Sequence, residues 1–143
     1  MSDAKTLVRE MFEECINRRN LDAVDKYFET DYVDHGPLGD VAGIEGFKTV
    51  ARAWLDAFPD VHCEVRNLIQ EGDLVAWTVH TTGTHTGDGM GFPATGRRIE
   101  TVSANLGRVG PNGKAAEHWA EQGMLATLQQ LGIIPEMPLP APA

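Results

Sequence analysis

The chain changes period at Pro59, and that change constrains its fold more than any other feature. Before it, apolar residues recur at helical spacing. Leu7, Met11 and Cys15 lie beside Val8, Phe12 and Ile16 at i, i+4, and Phe47, Val50, Ala51, Trp54, Leu55 and Phe58 make a second stripe. After it, apolar residues alternate, as in Val75, Trp77 and Val79 against Ala76, Thr78 and His80. Helices first and a run of strands later give an α+β fold. A curved antiparallel sheet wrapped around the N-terminal helices makes a cone-shaped barrel with an internal apolar cavity, the kind of space that suits a small ligand.

Local signals set the boundaries. Ser2 or Asp3 caps a helix running to about Arg19, and Leu21 to Phe28 reads as a short second helix. The stretch DYVDHGPLG, residues 31–39, reads as a loop with a short strand. A third helix spans Ile44 to Phe58, started by Gly43 and ended by Pro59. Strands follow over Val61–Gln70, Leu74–Thr84, Ile99–Val109 and Lys114–Glu121, with turns at Glu71-Gly72-Asp73 and Gly110–Gly113. The Gly-rich segment of residues 84–98 is a long loop. A last helix covers Met124–Leu131. Residues 1–135 read as one domain and 136–143 as a Pro-rich flexible tail.

A formal net charge of −9 argues against nucleic acid and anionic membrane as partners. No apolar run approaches a membrane span, and MSDAKTLVRE has no signal core, so a cytoplasmic protein is expected. Cys15 and Cys63 sit at core positions as reduced thiols. The glycines of TGDGMGFPATG lack the strand-to-helix context of a dinucleotide site. His80 and His85, five apart with no carboxylate at ligand spacing, are a weak metal signal, and we expect no metal and no cofactor.

Three stretches together, AFPDVHCEV, WTVHTTGTHTGDGMGFPATGRRIE and GKAAEHWAEQGMLATLQQLG, resemble the SnoaL-like polyketide cyclase family over about Leu7 to Leu131. The resemblance implies the nuclear-transport-factor-two-like α+β barrel. It also implies cofactor-free chemistry on a polycyclic aromatic, anthracycline-type intermediate. In the cyclase pattern an acid follows the EHW-like triplet and a His in the preceding strand assists. Here Glu117-His118-Trp119 is followed by Ala120, and Asn105 stands at the assisting position. The resemblance therefore points to tailoring by hydroxylation, with a reductase partner, more than to aldol cyclisation. A cyclase with a relocated base and a non-catalytic binder of an apolar ligand are the alternatives. Another acid/base enzyme, an isomerase or epoxide hydrolase, ranks last for want of a buried carboxylate.

His118 shares strand parity with Ala116 and Ala120 and would face the cavity as acid or base, unless it is a structural His bonded to a carbonyl. Asn105 either donates to a substrate oxygen or is satisfied by protein. His35 is the third catalytic candidate, at the cavity mouth, with Asp34 beside it in a turn or capping role. Substrate-binding candidates are Trp54, Phe58, Trp77, His80 and Ala120, with Met90 and Phe92 on a loop over the mouth. Arg97 and Arg98 close a hairpin or pair with Glu100, which becomes a substitute base if it points inward. His85, in the THTG segment that the family shares, shapes the loop. A homodimer or higher oligomer is expected through the outer sheet face, where Trp119 and Val75 would lie.

Overall fold

The computed structural model describes residues 3–142. Ser2, one of the two cap candidates, lies outside them. The Asp3 carboxylate accepts the Thr6 N–H at 2.7 Å and starts helix α1, Ala4–Met11. The stripe continues past Met11, but as a π-helical segment, Phe12–Asn17, rather than as α-helix to Arg19. It ends where the Asn17 amide accepts the Cys63 N–H at 2.8 Å and donates to the Cys63 carbonyl at 2.9 Å. Leu21–Lys26 is a 3-10 helix.

Strand β1, Phe28–Gly36, and strand β2, Gly39–Ala42, form an antiparallel hairpin. The short strand expected within the loop of residues 31–39 is thus longer, nine residues, and paired. Pro37 and Leu38 only turn the hairpin, and the flanking residues find strand partners that the local composition does not announce. Helix α2, Gly43–Ala57, follows. Then come β3 (His62–Glu71), β4 (Leu74–Thr84), β5 (Arg98–Val109), β6 (Ala115–Glu121) and helix α3 (Met124–Gln130). The curved six-stranded sheet has the order β2-β1-β6-β5-β4-β3. Its pairs are antiparallel except β1 with β6, so the sheet is mixed rather than wholly antiparallel. No helix among the described residues is long and apolar enough to cross a membrane.

Helices α1 and α2 pack on the concave face. Phe28 stacks on Tyr32 at 4.4 Å, and Phe47 from α2 meets Phe28 edge-on at 4.5 Å. A second cluster joins Ala57, Phe58, Val61, Ile99 and Leu131. Fully burying a side chain such as Val24 or Phe58 stabilises the fold by about 1.5–3 kcal/mol. Helix α3 is moored by Gln130, whose amide accepts the Glu100 N–H at 2.7 Å and donates to the Glu100 carbonyl at 2.9 Å, imitating a strand neighbour. Cys15 is fully buried, and burial pushes its thiol up to about 11.

The loop between β4 and β5 does not cover the cavity. A Cβ at Gly87 would stand 1.8 Å from the Asp56 carbonyl oxygen, and one at Gly89 1.9 Å from that of Ala53. The loop backbone thus lies directly on the end of α2, and the Gly87 N–H reaches the Ala57 carbonyl at 3.1 Å. Buried His85 holds the loop's far end, its Nδ1 accepting the Thr95 N–H at 3.2 Å.

Candidate functional site

A cavity opens between the helices and the sheet. It holds about 1270 Å³ of empty space, open solvent at the mouth included. Leu7, Met11, Ile16, Ala51, Trp54 and Leu55 make its helical wall. The sheet wall follows the two-residue period: Val75, Trp77, Val79 and Thr81 on β4, and Thr101, Ser103, Asn105 and Gly107 on β5. Val75 is therefore an inner-face residue, 3 % exposed, and not part of the outer face expected for it.

At one level of this wall several polar groups meet. In register, Gly107 lies opposite His118, Asn105 opposite Ala120, and Asp34 of β1 beside His118. His118 Nε2 is 2.9 Å from Asn105 Oδ1, and His118 Nδ1 is 3.3 Å from Asp34 Oδ1. The second contact is an ion-pair distance without hydrogen-bond alignment. Tyr32 donates its hydroxyl to Asp34 Oδ2 at 3.3 Å, and the Asn105 amide donates to Ser103 Oγ at 3.2 Å. Burial and the neighbouring Asp34 push the Tyr32 phenol far up, so it stays a donor. The Asp34 and His118 side chains are only 13 % and 15 % exposed.

Trp77 holds the imidazole from its face, stacked at 5.6 Å and 18°. The indole reaches His118 by crossing β5 at Gly107, where a Cβ would stand 3.1 Å from its ring. The glycine is there because an aromatic ring passes over it.

The arrangement can move a proton. The Asn105 oxygen calls for N–H at Nε2, and only rotation of that amide, which gives up its bond to Ser103, presents NH₂ to an Nε2 lone pair. That amide can offer its NH₂ to the neutral imidazole and its oxygen to the imidazolium, so both states of His118 have a partner. A carboxylate that orients the imidazole and supports its charge, in an apolar surround, is the physical basis of general acid–base catalysis.

Other expected site residues lie elsewhere. His35 is on the outer face, its Nδ1 2.8 Å from Asp40 Oδ1 and its Nε2 2.9 Å from Glu117 Oε2, with its ring stacked on Trp119. It is not among the cavity-lining residues and reaches them only through Glu117, which borders the cavity and accepts from Arg108 at 2.9 Å. His80 faces outward and pairs with Glu100 at 2.8 Å, so neither is in the cavity and Glu100 is no substitute base. The His80 contact holds the Glu100 carboxyl below its usual range. Phe58 is fully buried behind Trp54, which does line the cavity. Met90 packs against the Phe58–Ile99–Leu131 cluster, and neither it nor Phe92 lines the cavity. Ala120 lies on the cavity side by register, but its methyl does not reach the lining.

In the sequence Asp34 reads as a turn or capping residue. The strand places it in the cavity wall instead, and supplies the buried carboxylate that seemed to be missing. Tyr32, Thr101, Ser103 and Gln122 are cavity residues that the sequence does not single out. For the two β5 residues the signal was available, since they share parity with Asn105.

Residues 6–131 match the family model described as SnoaL-like polyketide cyclase. Aklanonic acid methyl ester cyclase DnrD of Streptomyces peucetius is 32% identical, over 92% of this chain and 92% of that protein. The crystal structure of AclR, a proposed hydroxylase from Streptomyces galilaeus, matches with a TM-score of 0.80 at 33% identity, covering 94% of this chain and 83% of that one. A proposed SnoaL-like polyketide cyclase from Jannaschia shares the fold at a TM-score of 0.82 and 21% identity, over 91% of this chain and 92% of that one.

Proposed function

Because the chain belongs to the SnoaL-like polyketide cyclase family, we propose that it is an enzyme that deprotonates a polycyclic aromatic polyketide of the anthracycline type, with His118 as the base. The observation that carries this is the Asp34–His118 pair set into the wall of an apolar cavity. Once the Asn105 oxygen swings off it, His118 Nε2 takes a proton from the carbon next to a substrate carbonyl, Asp34 supports the imidazolium, and the Asn105 oxygen returns to accept from the new N–H. The enolate carbon then attacks a second carbonyl of the same molecule, and the resulting alkoxide recovers the proton from His118. This is an intramolecular aldol closure with a relocated base. It gives Ala120 no task. The hydroxylation favoured by the sequence alone rested on Ala120 and Asn105 standing where the cyclase pattern has an acid and a His, and Asp34 with His118 offers an alternative acid–base pair.

Incubation with aklanonic acid methyl ester tests it. A closed ring keeps the precursor's mass and changes its chromatographic retention. His118→Ala should lower kcat by about 10²–10⁴-fold, the usual range for a general base. Turnover that His118→Ala leaves intact would sink the assignment.

A second reading, hydroxylation, is favoured by the likeness to AclR and by the alanine at position 120. It would take dioxygen and two electrons from a reductase partner, leaving one oxygen atom on the ring and the other in water. Its mark in the same assay is a product heavier by one oxygen, formed only with reductase and air. Tight binding with no product under either condition would leave a binding protein.

A further inference from the structure

The polar wall does not stop at the catalytic level. Along β5 the inward residues run Gly107, Asn105, Ser103, Thr101. Asp34, His118 and Trp77 gather at the Gly107–Asn105 end. The opposite end carries Thr101, 7 % exposed, and Gln122, one step past the Ala104–Glu121 pair and so beside Ser103. Both line the cavity, and neither the Thr101 hydroxyl nor the Gln122 amide makes a hydrogen bond among the described residues. Thr81, opposite Thr101, is engaged with Cys63 Sγ at 3.6 Å. A hydroxyl and an amide left without protein partners in a largely apolar space are placed to bond a ligand.

Their distance from His118 limits that ligand. At ~3.3 Å per residue, Ser103 and Thr101 stand about 13 and 20 Å along the strand from the His118 level. Side chains reaching inward from both ends shorten the span, and Trp54, Leu55 and Ile16 face the row with hydrocarbon. A ligand that touches both ends is elongated and flat, apolar along its body, and carries oxygen at the end away from the reacting carbon. A hydroxyl and a primary amide each donate and accept, so they suit a ketone or phenol oxygen and offer no counter-charge to an ion.

We propose that Thr101 and Gln122 are specificity residues that hydrogen-bond the oxygen-bearing far ring of a tri- or tetracyclic ketone or phenol while His118 works at the near ring. This rests on the polyketide reading above and names the part of the substrate that each end of the cavity reads.

Binding of two probes tests it, followed by quenching of the cavity tryptophans Trp54 and Trp77. The probes are 1,8-dihydroxyanthraquinone and anthraquinone, which differ only in the hydroxyls of the ring edge. The wild-type protein should favour the hydroxylated probe by about tenfold, the worth of one or two net hydrogen bonds. Thr101→Val and Gln122→Met, both close in shape to the originals, should each lower that preference about threefold, with a smaller change in the Kd for anthraquinone. A preference undiminished in both variants, an equal loss for both probes, or a wild-type protein that binds both alike would overturn the assignment of Thr101 and Gln122 and leave the polycyclic reading standing. A wild-type protein that binds neither probe would overturn both.

Discussion

Two histidines sit on neighbouring strands with opposite outlooks, one beside a single acid and the other between two. His118 faces the cavity beside Asp34, and His35 faces outward between Glu117 and Asp40. The inner pair makes a kinetic prediction. Asp34→Asn keeps the shape but removes the charge that supports an imidazolium, so kcat should fall by about 10²-fold or more with little change in KM. Equal losses in binding and turnover would mean that Asp34 only holds the cavity open. The outer pair makes a prediction about stability. The Glu117 and then the Asp40 hydrogen bonds raise His35 above its ordinary 6.5, and His35 and then Arg108 lower Glu117 below its ordinary 4.5. A raised imidazole stabilises the fold fully below its unfolded value, and that gain is lost as pH rises through the folded one. A lowered carboxylate stabilises above its unfolded value, and its gain is lost as pH falls through the folded one. Between 4.5 and 6.5 both gains are present. The difference in melting temperature between wild type and His35→Gln should be largest in that window and shrink on either side. A difference that does not vary with pH would assign His35 a packing role only.

At the level of elements, close backbone approach is what aims the site. Gly107 lets the Trp77 ring cross β5 to His118. Gly107→Ala needs a shift of only a few tenths of an ångström, so the protein should fold while the indole tilts off the imidazole. Loss of the ring-current shift of the His118 protons in an NMR spectrum would show it, and an unchanged spectrum would refute it. Gly89→Ala is harsher, because its methyl would fall 1.9 Å from a helix carbonyl oxygen. It should lower stability by about 1–3 kcal/mol, read as a lower denaturant midpoint. The alternation in β4 and β6 was legible without coordinates, since Trp77 and Val79 must oppose His80, and His118 must accompany Ala120. That period is local. What was not legible is how far β1 runs and what it pairs with, a parallel partner far along the chain, Val33 beside Glu117 and Asp34 beside His118. No local pattern in YVDHGP reports that neighbour, so the carboxylate nearest the candidate base read as a turn residue. The Gly-rich loop misled for a related reason. Its Met90 and Phe92 suggested a cover over the mouth, whereas its glycines remove side chains where the loop meets α2.

For the whole molecule, the faces of the sheet divide the labour. The concave face holds the cavity, and the convex face carries an apolar row set by register, Ile69 beside Ala76, Ala76 beside Leu106 and Leu106 beside Trp119. Ile69 is 67 % exposed, Leu106 37 % and Trp119 36 %, and Val102 and Leu74 extend the row at 61 % and 40 %. Such a patch in water is costly to leave open. Beside it stands the pair Glu64–Arg66, whose opposite charges let the face meet a rotated copy of itself without a clash of like sign. The homodimer expected from the sequence would bury this row. Leu106→Glu combined with Trp119→Glu places two carboxylates at its centre, and sedimentation equilibrium should then read the mass of one chain where the wild type reads two. Because Trp119 stacks on His35, which bonds Glu117 at the cavity, the same variant should also loosen that edge of the site and lower turnover even under assay dilution that separates wild-type chains. A wild type that sediments as one chain at every concentration would remove the dimer, and the apolar row would need another occupant.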